Sequence, residues 1–170
     1  MRAVAILGSA RSDGDAARLL DAIAAGRPIQ RVDLARLRID DYAYDREGQA
    51  ADDFLGVAQS MIEAEHVLFV TPVYWYAMSG VLKRFFDRMT ELVTVHKPLG
   101  RALAGRTVWV AACGTRPALP DGFEVPFRDT AGYFGMAYGG AFYSQIAFGA
   151  LLSAAQQREA AAFGSAFLGA

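Results

Sequence analysis

Apolar and polar positions follow two different periods along this chain of 170 residues. Short continuous apolar runs, such as residues 67–70, are typical of strands that are covered on both faces of a parallel sheet. Between these runs, apolar residues recur at the spacing of an amphipathic helix. The predicted strands cover residues 2–7, 29–33, 66–71, 107–113 and 137–142. The predicted helices cover residues 15–25, 51–64, 78–95, 126–134 and 150–167.

This alternation predicts one α/β domain over residues 1–170, because no linker rich in Pro, Gly or Ser interrupts it. Strands joined by helices satisfy the right-handed crossover rule most simply as a doubly wound parallel sheet, with helices on both faces. The strand order is then 2-1-3-4-5 or 3-2-1-4-5, and periodicity does not choose between the two. Ligands of such sheets bind beyond the carboxyl ends of the strands.

Composition narrows the class of partner. The formal net charge is -1 and no segment is dense in Lys or Arg, so we expect neither a nucleic acid nor a membrane as partner. No signal-peptide pattern and no apolar stretch of about 18 residues occurs, so a cytoplasmic location is expected. The single cysteine, Cys113, excludes an intrachain disulfide and is expected to be a small buried hydrophobe. A small molecule is therefore the expected partner.

The loop after the first predicted strand is a candidate anion site. Its sequence is Gly8-Ser9-Ala10-Arg11-Ser12-Asp13-Gly14-Asp15. Small residues let the backbone fold back at a helix N-terminus, where free amides favour an anion, and Ser and Arg side chains add donors. The fingerprints of Rossmann NAD sites and of P-loop NTPases are absent. An ordinary strand-to-helix turn capped by Asp13 or Asp15 remains the alternative.

The loop after the third predicted strand is unusually aromatic and could form the wall of a site for a planar ligand. Its sequence is Thr71-Pro72-Val73-Tyr74-Trp75-Tyr76-Ala77-Met78-Ser79-Gly80. It joins a buried strand to an amphipathic helix, so it lies at the carboxyl edge of the sheet. Packing or a subunit contact is the alternative role of these rings, because aromatic residues are also favoured at interfaces.

Together these two segments resemble the flavodoxin-like NAD(P)H-dependent FMN reductases and the related quinone or azo reductases. The run Gly8-Ser9-Ala10-Arg11, with Gly14, is similar to the phosphate loop of that family. The aromatic loop, with Leu82-Lys83-Arg84-Phe85-Phe86-Asp87-Arg88 after it, is similar to the family's flavin-ring loop and following helix. The resemblance implies the order 2-1-3-4-5, FMN at the tips of strands one, three and four, and a homodimer.

The resemblance also implies a set of cofactor-binding residues. Ser9, Arg11 and Gly14 would hold the FMN phosphate, while Gly114 and Thr115 would face the pyrimidine edge of the ring. The residues that would border the isoalloxazine, largely through backbone groups, are Pro72, Val73, Tyr74, Trp75, Tyr76 and Ala77. No catalytic side chain and no metal ligand is expected, because the cofactor itself performs the redox chemistry.

One pair departs from the family pattern. Many members carry Asn-Thr or another neutral pair where this chain has Asp15-Ala16. A carboxylate about 5 Å from the phosphate would add roughly 3 kcal/mol of repulsion per phosphate charge at a dielectric of about 20. That exceeds the roughly 0.3 to 1 kcal/mol that a helix terminus contributes. We expect Asp15 to face away, offset by Arg11 or Arg18; otherwise FMN binding is weakened.

The expected function is that of an FMN-dependent NAD(P)H oxidoreductase. Hydride would pass from NADPH or NADH through FMN to a quinone, azo, nitro or flavin compound by a ping-pong scheme. One alternative is a flavodoxin-type electron carrier, although such carriers are usually strongly acidic and this chain is not. The other is a flavin-free regulatory module on the same scaffold. Three arginines could favour the 2′-phosphate of NADPH, although an ordinary surface charge is the commoner role of such a residue; they are Arg101, Arg106 and Arg116.

The remaining candidates are expected to be structural. His66 and His96 are interpreted as solvated turn residues. A second aromatic region is assigned mainly to the core, with a minor share to a subunit interface or acceptor pocket; it contains Phe123, Phe127, Tyr133, Phe134, Tyr138, Phe142 and Tyr143. A group of carboxylates is interpreted as a solvated connection and helix start rather than as a metal cluster; it contains Asp40, Asp41, Asp45, Asp52 and Asp53.

Overall fold

The computed structural model describes residues 2–48 and 51–169, and these form a five-stranded parallel sheet with order β2-β1-β3-β4-β5. The strands are β1 (Ala3–Leu7), β2 (Gln30–Asp33), β3 (His66–Pro72), β4 (Thr107–Gly114) and β5 (Ala137–Gln145). The predicted α/β class is confirmed. Of the two strand orders left open by periodicity, the structure has the one that the family resemblance implied.

Helices cover both faces of the sheet. They are α1 (Asp15–Ala24), α2 (Phe54–Glu63), α3 (Gly80–Arg88), α4 (Glu91–Thr94), α5 (Lys97–Ala102), α6 (Val125–Tyr133) and α7 (Ala154–Gly169). Short 3-10 helices cover Leu34–Arg36 and Tyr44–Arg46. Among the described helices, none is long and apolar enough to cross a membrane.

The prediction of one long helix over residues 78–95 is wrong, because the structure has two helices there, α3 and α4. Met89 N donates both to Phe85 O, as in an α-helix, and to Phe86 O, and the second bond spans only three residues, which tightens the last turn. The apolar pattern nevertheless runs on in phase, since Met89 and Leu92 are both buried in the same cluster. Periodicity alone therefore could not reveal the break.

Two other predicted helix starts also shift by several residues, and one helix was missed. The helix predicted from residue 51 begins at Phe54, whose N donates to Asp52 Oδ1 at 3.1 Å. The helix predicted from residue 150 begins at Ala154, because Ser153 and Gln156 form a reciprocal cap: each side-chain oxygen accepts from the other residue's backbone N. Helix α5 was not predicted; it carries Pro98 in its first turn, where proline is tolerated.

The core lies in two layers, one on each face of the sheet. Strand β3 is buried along its whole length, with Val67 and Phe69 in one layer and Leu68 and Val70 in the other. This two-sided burial explains why its sequence is a continuous apolar run rather than an alternating one. The site therefore stands on a strand that packing fixes from both sides.

The amino edge of the sheet is closed by hydrogen bonds between polar side chains and their neighbours. His66 was predicted to be a solvated turn residue, and this is wrong: it is buried, and its Nδ1 accepts from Trp109 Nε1 at 3.1 Å. Arg106 donates from Nε and Nη2 to Ile62 O at 3.1 and 2.6 Å. Its Nη1 donates to Ala104 O at 2.9 Å. Both residues are structural and lie away from the carboxyl edge.

A buried ion cluster ties α3 to the segment before α2. Arg88 Nη1 lies 2.5 Å from Asp52 Oδ2, and Arg88 Nε lies 2.8 Å from Glu91 Oε1. Burial opposes ionisation of Asp52, but hydrogen bonds from Arg88 and from the backbone N of Asp40 and Phe54 outweigh it and lower the Asp52 pKa. Asp52 was predicted to be solvated, which is wrong, since its side chain is only 1% exposed.

Candidate functional site

Three loops meet at the carboxyl edge of the sheet because they follow the adjacent strands β1, β3 and β4. Gly8 N donates to Val70 O at 2.8 Å, which joins the first loop to β3. Val73 N donates to Cys113 O at 2.7 Å, which joins the second loop to β4. The structure thus brings together all three segments that contain the predicted site residues.

The first loop, residues 8–16, leaves the N-terminus of α1 without a side-chain cap. Gly14 is the N-cap residue, and among the described residues no side chain accepts a hydrogen bond from the first turn there. The alternative of a turn capped by Asp13 or Asp15 is therefore wrong. Uncapped amides and the helix dipole favour an anion at this end.

Two further groups of this loop suit an anion. Ser9 is buried, and its hydroxyl accepts from Arg11 N at 3.2 Å. The Arg11 side chain is 68% exposed, and its Nε lies 3.5 Å from Asp13 Oδ1. A long contact between two exposed groups holds Arg11 only weakly, so its guanidinium is available to a ligand.

The unusual Asp15 is paired along its own helix. Its Oδ1 accepts from Arg18 Nη2 at 2.9 Å, and the two side chains are about 40% exposed. Of the two arginines considered as partners, Arg18 therefore makes the ion pair, whereas Arg11 contacts Asp13. Ala16 lies beside Asp15 and is buried against the core below.

Ser79 couples the first loop to the second, and sequence reasoning missed it. Its hydroxyl donates to Gly8 O at 2.7 Å and accepts from Leu82 N at 3.1 Å, which makes it the N-cap of α3. Its backbone N donates to Thr71 Oγ1 at 3.1 Å. A serine directly before an amphipathic helix was the available signal for the cap, although not for the bond to Gly8.

The aromatic residues sit on a tight two-residue turn, residues 74–77, which we call the aromatic turn. Tyr74 N donates to Ala77 O at 2.9 Å and Ala77 N donates to Tyr74 O at 3.0 Å. Trp75 and Tyr76 have φ values of 48° and 69°. Positive φ at both central residues is the mark of a type I′ turn, which normally uses Asn-Gly.

The backbone of this turn is strained, and its aromatic rings are exposed. A left-handed backbone costs roughly 1 to 2 kcal/mol for each residue other than glycine, and such strain clusters at functional sites. The side of the molecule carrying Trp75 and Tyr76 is open, since these residues are 93% and 60% exposed. Packing in the core of this chain is therefore not their role, whereas a ligand wall and a subunit contact both fit.

The third loop completes a small pocket beside the aromatic turn. The pocket has a volume of about 230 Å³ and is lined by Val73, Trp75, Tyr76, Gly114, Thr115, Arg116 and Tyr143. A Cβ on Gly114 would lie 3.2 Å from the Tyr143 hydroxyl and 3.3 Å from Val73 Cβ, so glycine permits this close approach of the loops.

The second aromatic region divides between core and surface. Phe123 and Phe127 are buried, as predicted. Tyr133 is 73% exposed, so its assignment to the core is wrong. Tyr143 packs partly against the core but also reaches the pocket, where its hydroxyl donates to Arg116 O at 2.8 Å. The sequence offered no signal for this contact because it joins residues of two different strand ends.

A larger cleft lies beside β2, the edge strand of the sheet. It has a volume of about 670 Å³ and includes Ser12, Arg31 and Arg36 among its lining residues. Arg31 Nη1 lies 3.0 Å from Asp21 Oδ1, and Arg36 Nε lies 3.5 Å from Asp33 Oδ2. Arg31 is already paired, and the described lining of this cleft includes no residue of the second or third loop, so the smaller pocket between those loops is the better candidate for a planar ring.

Cys113 lies at the end of β4 beneath the site. Burial raises the pKa of its thiol to about 12, with the nearby Asp15 carboxylate adding to the effect. The thiol therefore remains protonated near neutral pH, as a buried hydrophobe does. Within the part of the chain that the structure describes, no group of three or more His, Cys, Asp or Glu side chains could hold a metal ion.

A doubly wound sheet of order 2-1-3-4-5 with its loops gathered at the carboxyl edge defines a flavodoxin-like protein. Residues 1–157 match the family NADPH-dependent FMN reductase, and the chain belongs to this family. The predicted family is confirmed.

Individual relatives are distant. YwqN of Bacillus subtilis (strain 168), named as an NAD(P)H-dependent FMN-containing oxidoreductase, is 28% identical over 96 residues, which are 54% of this chain and 53% of YwqN. The chain spans about half the length of the curated relatives it matches, at 53% and 57%.

Solved structures share the fold. The Trp repressor binding protein from Bacillus subtilis has a TM-score of 0.76 at 20% identity, covering 98% of this chain and 97% of that one. An NADPH-quinone reductase from P. pentosaceus has a TM-score of 0.67 at 17% identity, covering 98% of each chain. At these identities the likeness supports the fold alone.

Proposed function

We propose that this chain is an FMN-dependent NAD(P)H oxidoreductase that passes hydride to a small acceptor such as a quinone, azo, nitro or flavin compound. The observation that carries the proposal is the junction of an uncapped helix N-terminus with a strained aromatic turn on neighbouring strands. One feature suits a phosphate and the other suits a planar ring, which are the two ends of FMN.

The phosphate end is assigned to Ser9, Arg11 and Gly14, with Asp15 and Ala16 at the start of α1. The buried hydroxyl, the available guanidinium and the uncapped amides are the donors that a phosphate dianion requires. Arg18 pairs with Asp15 and offsets its negative charge. Repulsion between Asp15 and the FMN phosphate is therefore a weaker argument against FMN binding.

The ring end is assigned to Pro72, Val73, Tyr74, Trp75, Tyr76 and Ala77, with Gly114 and Thr115 at the pyrimidine edge. The hydrogen bond from Val73 N to Cys113 O holds the second and third loops at a fixed separation. Glycine at position 114 keeps the space between them open, since a Cβ there would meet Val73 and Tyr143. These residues fit a flat ring gripped at its edge.

Bound FMN would supply the two-electron chemistry, by accepting hydride from NAD(P)H and giving it to an acceptor. The chain's own residues orient and enclose the reactants. The pocket of about 230 Å³ is small, so a flavin ring that enters it beside Trp75 and Tyr76 would leave only its outer face for a second planar molecule. Donor and acceptor would have to use that face in turn, which supports a ping-pong scheme.

The test begins with reconstitution. Protein incubated with FMN and freed of excess flavin should keep the visible flavin spectrum, and anaerobic NADPH or NADH should bleach it in a stopped-flow experiment. Arg11→Gln should weaken FMN retention, whereas Arg128→Gln, which changes an exposed arginine on α6, should not. Bound flavin that stays oxidised would favour the electron carrier, and a colourless protein would favour the flavin-free module.

The proposed assembly is a homodimer. The family likeness and the exposed rings of Trp75 and Tyr76 support it, because exposed aromatic clusters often become subunit contacts. Light scattering of the FMN-loaded protein should give twice the mass of the chain. A monomeric mass at micromolar concentration would contradict this part of the proposal.

A further inference from the structure

We infer that Arg116, at the rim of this pocket, recognises an acidic group on the molecule that stacks on the bound flavin, and so gives the enzyme a preference for anionic ligands. The inference rests on the function proposed above, and it concerns which of the possible ligands the site favours. The acidic group could be the 2′-phosphate of NADPH or a sulfonate or carboxylate of the acceptor.

Arg116 is the one candidate arginine of the three that the structure places at this pocket. The guanidinium of Arg106 already donates hydrogen bonds to backbone carbonyls at the amino edge of the sheet. Arg101 lies on α5, which precedes the amino end of β4. The choice between the three, which the sequence left open, is thus made by topology.

The guanidinium of Arg116 lies over the ring of Tyr76, with Cζ 5.3 Å from the ring centroid. Among the described residues, no carboxylate pairs with it and no oxygen accepts a hydrogen bond from it, whereas Arg88 and Arg106 have such partners. A stacked guanidinium keeps its edge free for two parallel hydrogen bonds to an acidic group. The charge is therefore held at the pocket but not neutralised.

The backbone beneath Arg116 is held by β5. Three successive carbonyls accept hydrogen bonds: Gly114 O from Ile146 N at 2.8 Å, Thr115 O from Gln145 Nε2 at 3.0 Å, and Arg116 O from Tyr143 Oη at 2.8 Å. Anchoring on that side, together with stacking on a ring that the strained turn fixes, limits the positions open to the guanidinium. Such preorganisation reduces the entropy lost on binding.

The test measures binding to the oxidised, FMN-loaded protein by calorimetry, so it needs no turnover. The probes are NADP⁺ against NAD⁺, and anthraquinone-2-sulfonate against an uncharged quinone of similar size. Arg116→Gln should weaken at least one anionic probe by about fivefold to tenfold and leave its uncharged or unphosphorylated counterpart within about twofold. Arg116→Lys should lose less, because it keeps the charge without the paired donors.

Arg101→Gln is the matched control, since it removes the same charge from an exposed arginine far from the pocket, and it should change no affinity. Loss for NADP⁺ alone identifies the nucleotide phosphate as the source, and loss for the sulfonate alone identifies the acceptor. Equal weakening of charged and uncharged probes would overturn the inference, because Arg116 would then only support the Tyr76 wall. Unchanged affinities would overturn it as well.

Failure of the proposed function looks different. In that case NAD(P)H would not bleach the bound flavin, or no flavin would bind, irrespective of the residue at position 116. If the flavin is reduced normally while Arg116→Gln leaves every affinity unchanged, only the inference about Arg116 is lost.

Discussion

The first loop and the aromatic turn belong to the same site but are built by opposite means. The first loop uses small residues held by buried polar contacts, such as Gly8 N to Val70 O. The aromatic turn uses large, exposed side chains on a strained backbone, with Trp75 at φ 48°. The first loop is thus fixed by packing, whereas the aromatic turn is a strained segment that the packing around it holds in place. Mutations in the two loops should therefore differ in the sign of their effect on stability.

The largest effect is expected from Ser79→Ala, which breaks the connection between the two loops. It removes the N-cap of α3 and the hydrogen bond to Gly8 O in a buried position. Losing a cap costs about 1 kcal/mol, and a buried group left without its partner costs about 1 to 3 kcal/mol. The free energy of unfolding in urea should fall by about 2 to 3 kcal/mol.

The control for this variant is Ser12→Ala, which also removes a hydroxyl of the region. Among the described residues, Ser12 Oγ accepts a hydrogen bond from Arg36 Nε alone, at 3.3 Å near the surface. Its loss should change the free energy of unfolding by no more than about 0.5 kcal/mol. Equal costs for the two variants would mean that Ser79 does not connect the loops.

Gly8→Ala should come next and should act on the first loop alone. A Cβ at position 8 would lie 2.5 Å from Leu82 Cβ, so the loop must move away from α3. Overpacking of this kind costs about 1 to 3 kcal/mol, and FMN retention should fall with it. Gly80→Ala is the control, since a Cβ there meets nothing within 4 Å and alanine favours a helix. Unchanged unfolding of Gly8→Ala would show that the loop is not fixed by packing.

The double variant Trp75→Asn, Tyr76→Gly should stabilise the protein, whereas the variants described above should destabilise it. Asn-Gly is the preferred pair for this turn, so the free energy of unfolding should rise by about 1 kcal/mol. FMN affinity should fall, because the wall of the pocket is gone. Phe148→Asn, which removes a residue that is 99% exposed elsewhere, should change neither property. Destabilisation of the double variant would mean that the rings contribute more through packing than the strain costs.

The same contrast explains how far the sequence could predict the molecule. The fold was predictable because burial on both faces leaves a continuous apolar run, as in β3, and because helical spacing repeats over several turns. The break after Arg88 was not predictable, since the apolar phase continues into α4. His66 and Asp52 were misjudged for a related reason: a polar residue is expected outside unless its partner is known. Those partners, Trp109 and Arg88, lie far along the chain.

For the site, the sequence predicted the segments better than the contacts. The resemblance indicated the loops, and the parallel sheet brought them to one edge, as adjacent strands must. The bond from Ser79 to Gly8 and the position of Arg116 over Tyr76 depend on side-chain geometry across loops. No local pattern encodes such contacts, because each joins residues that are distant in sequence but close in the fold.

The smallest effect is expected from Asp15→Asn. This variant tests whether Asp15, which stands where many members of the family carry a neutral residue, weakens FMN binding at the first loop. Asp15 forms an exposed ion pair with Arg18, and such helical pairs contribute about 0.2 to 0.5 kcal/mol. Removing the carboxylate should raise FMN affinity less than about threefold, because a factor of ten requires about 1.4 kcal/mol. Arg18→Gln, by contrast, leaves Asp15 unpaired near the phosphate and should weaken FMN binding more than Asp15→Asn strengthens it. Titration of FMN fluorescence at low and high salt measures both changes. A gain of tenfold or more for Asp15→Asn would show that the carboxylate faces the phosphate despite its partner, and the phosphate end of the site would then depend on charge more than on packing.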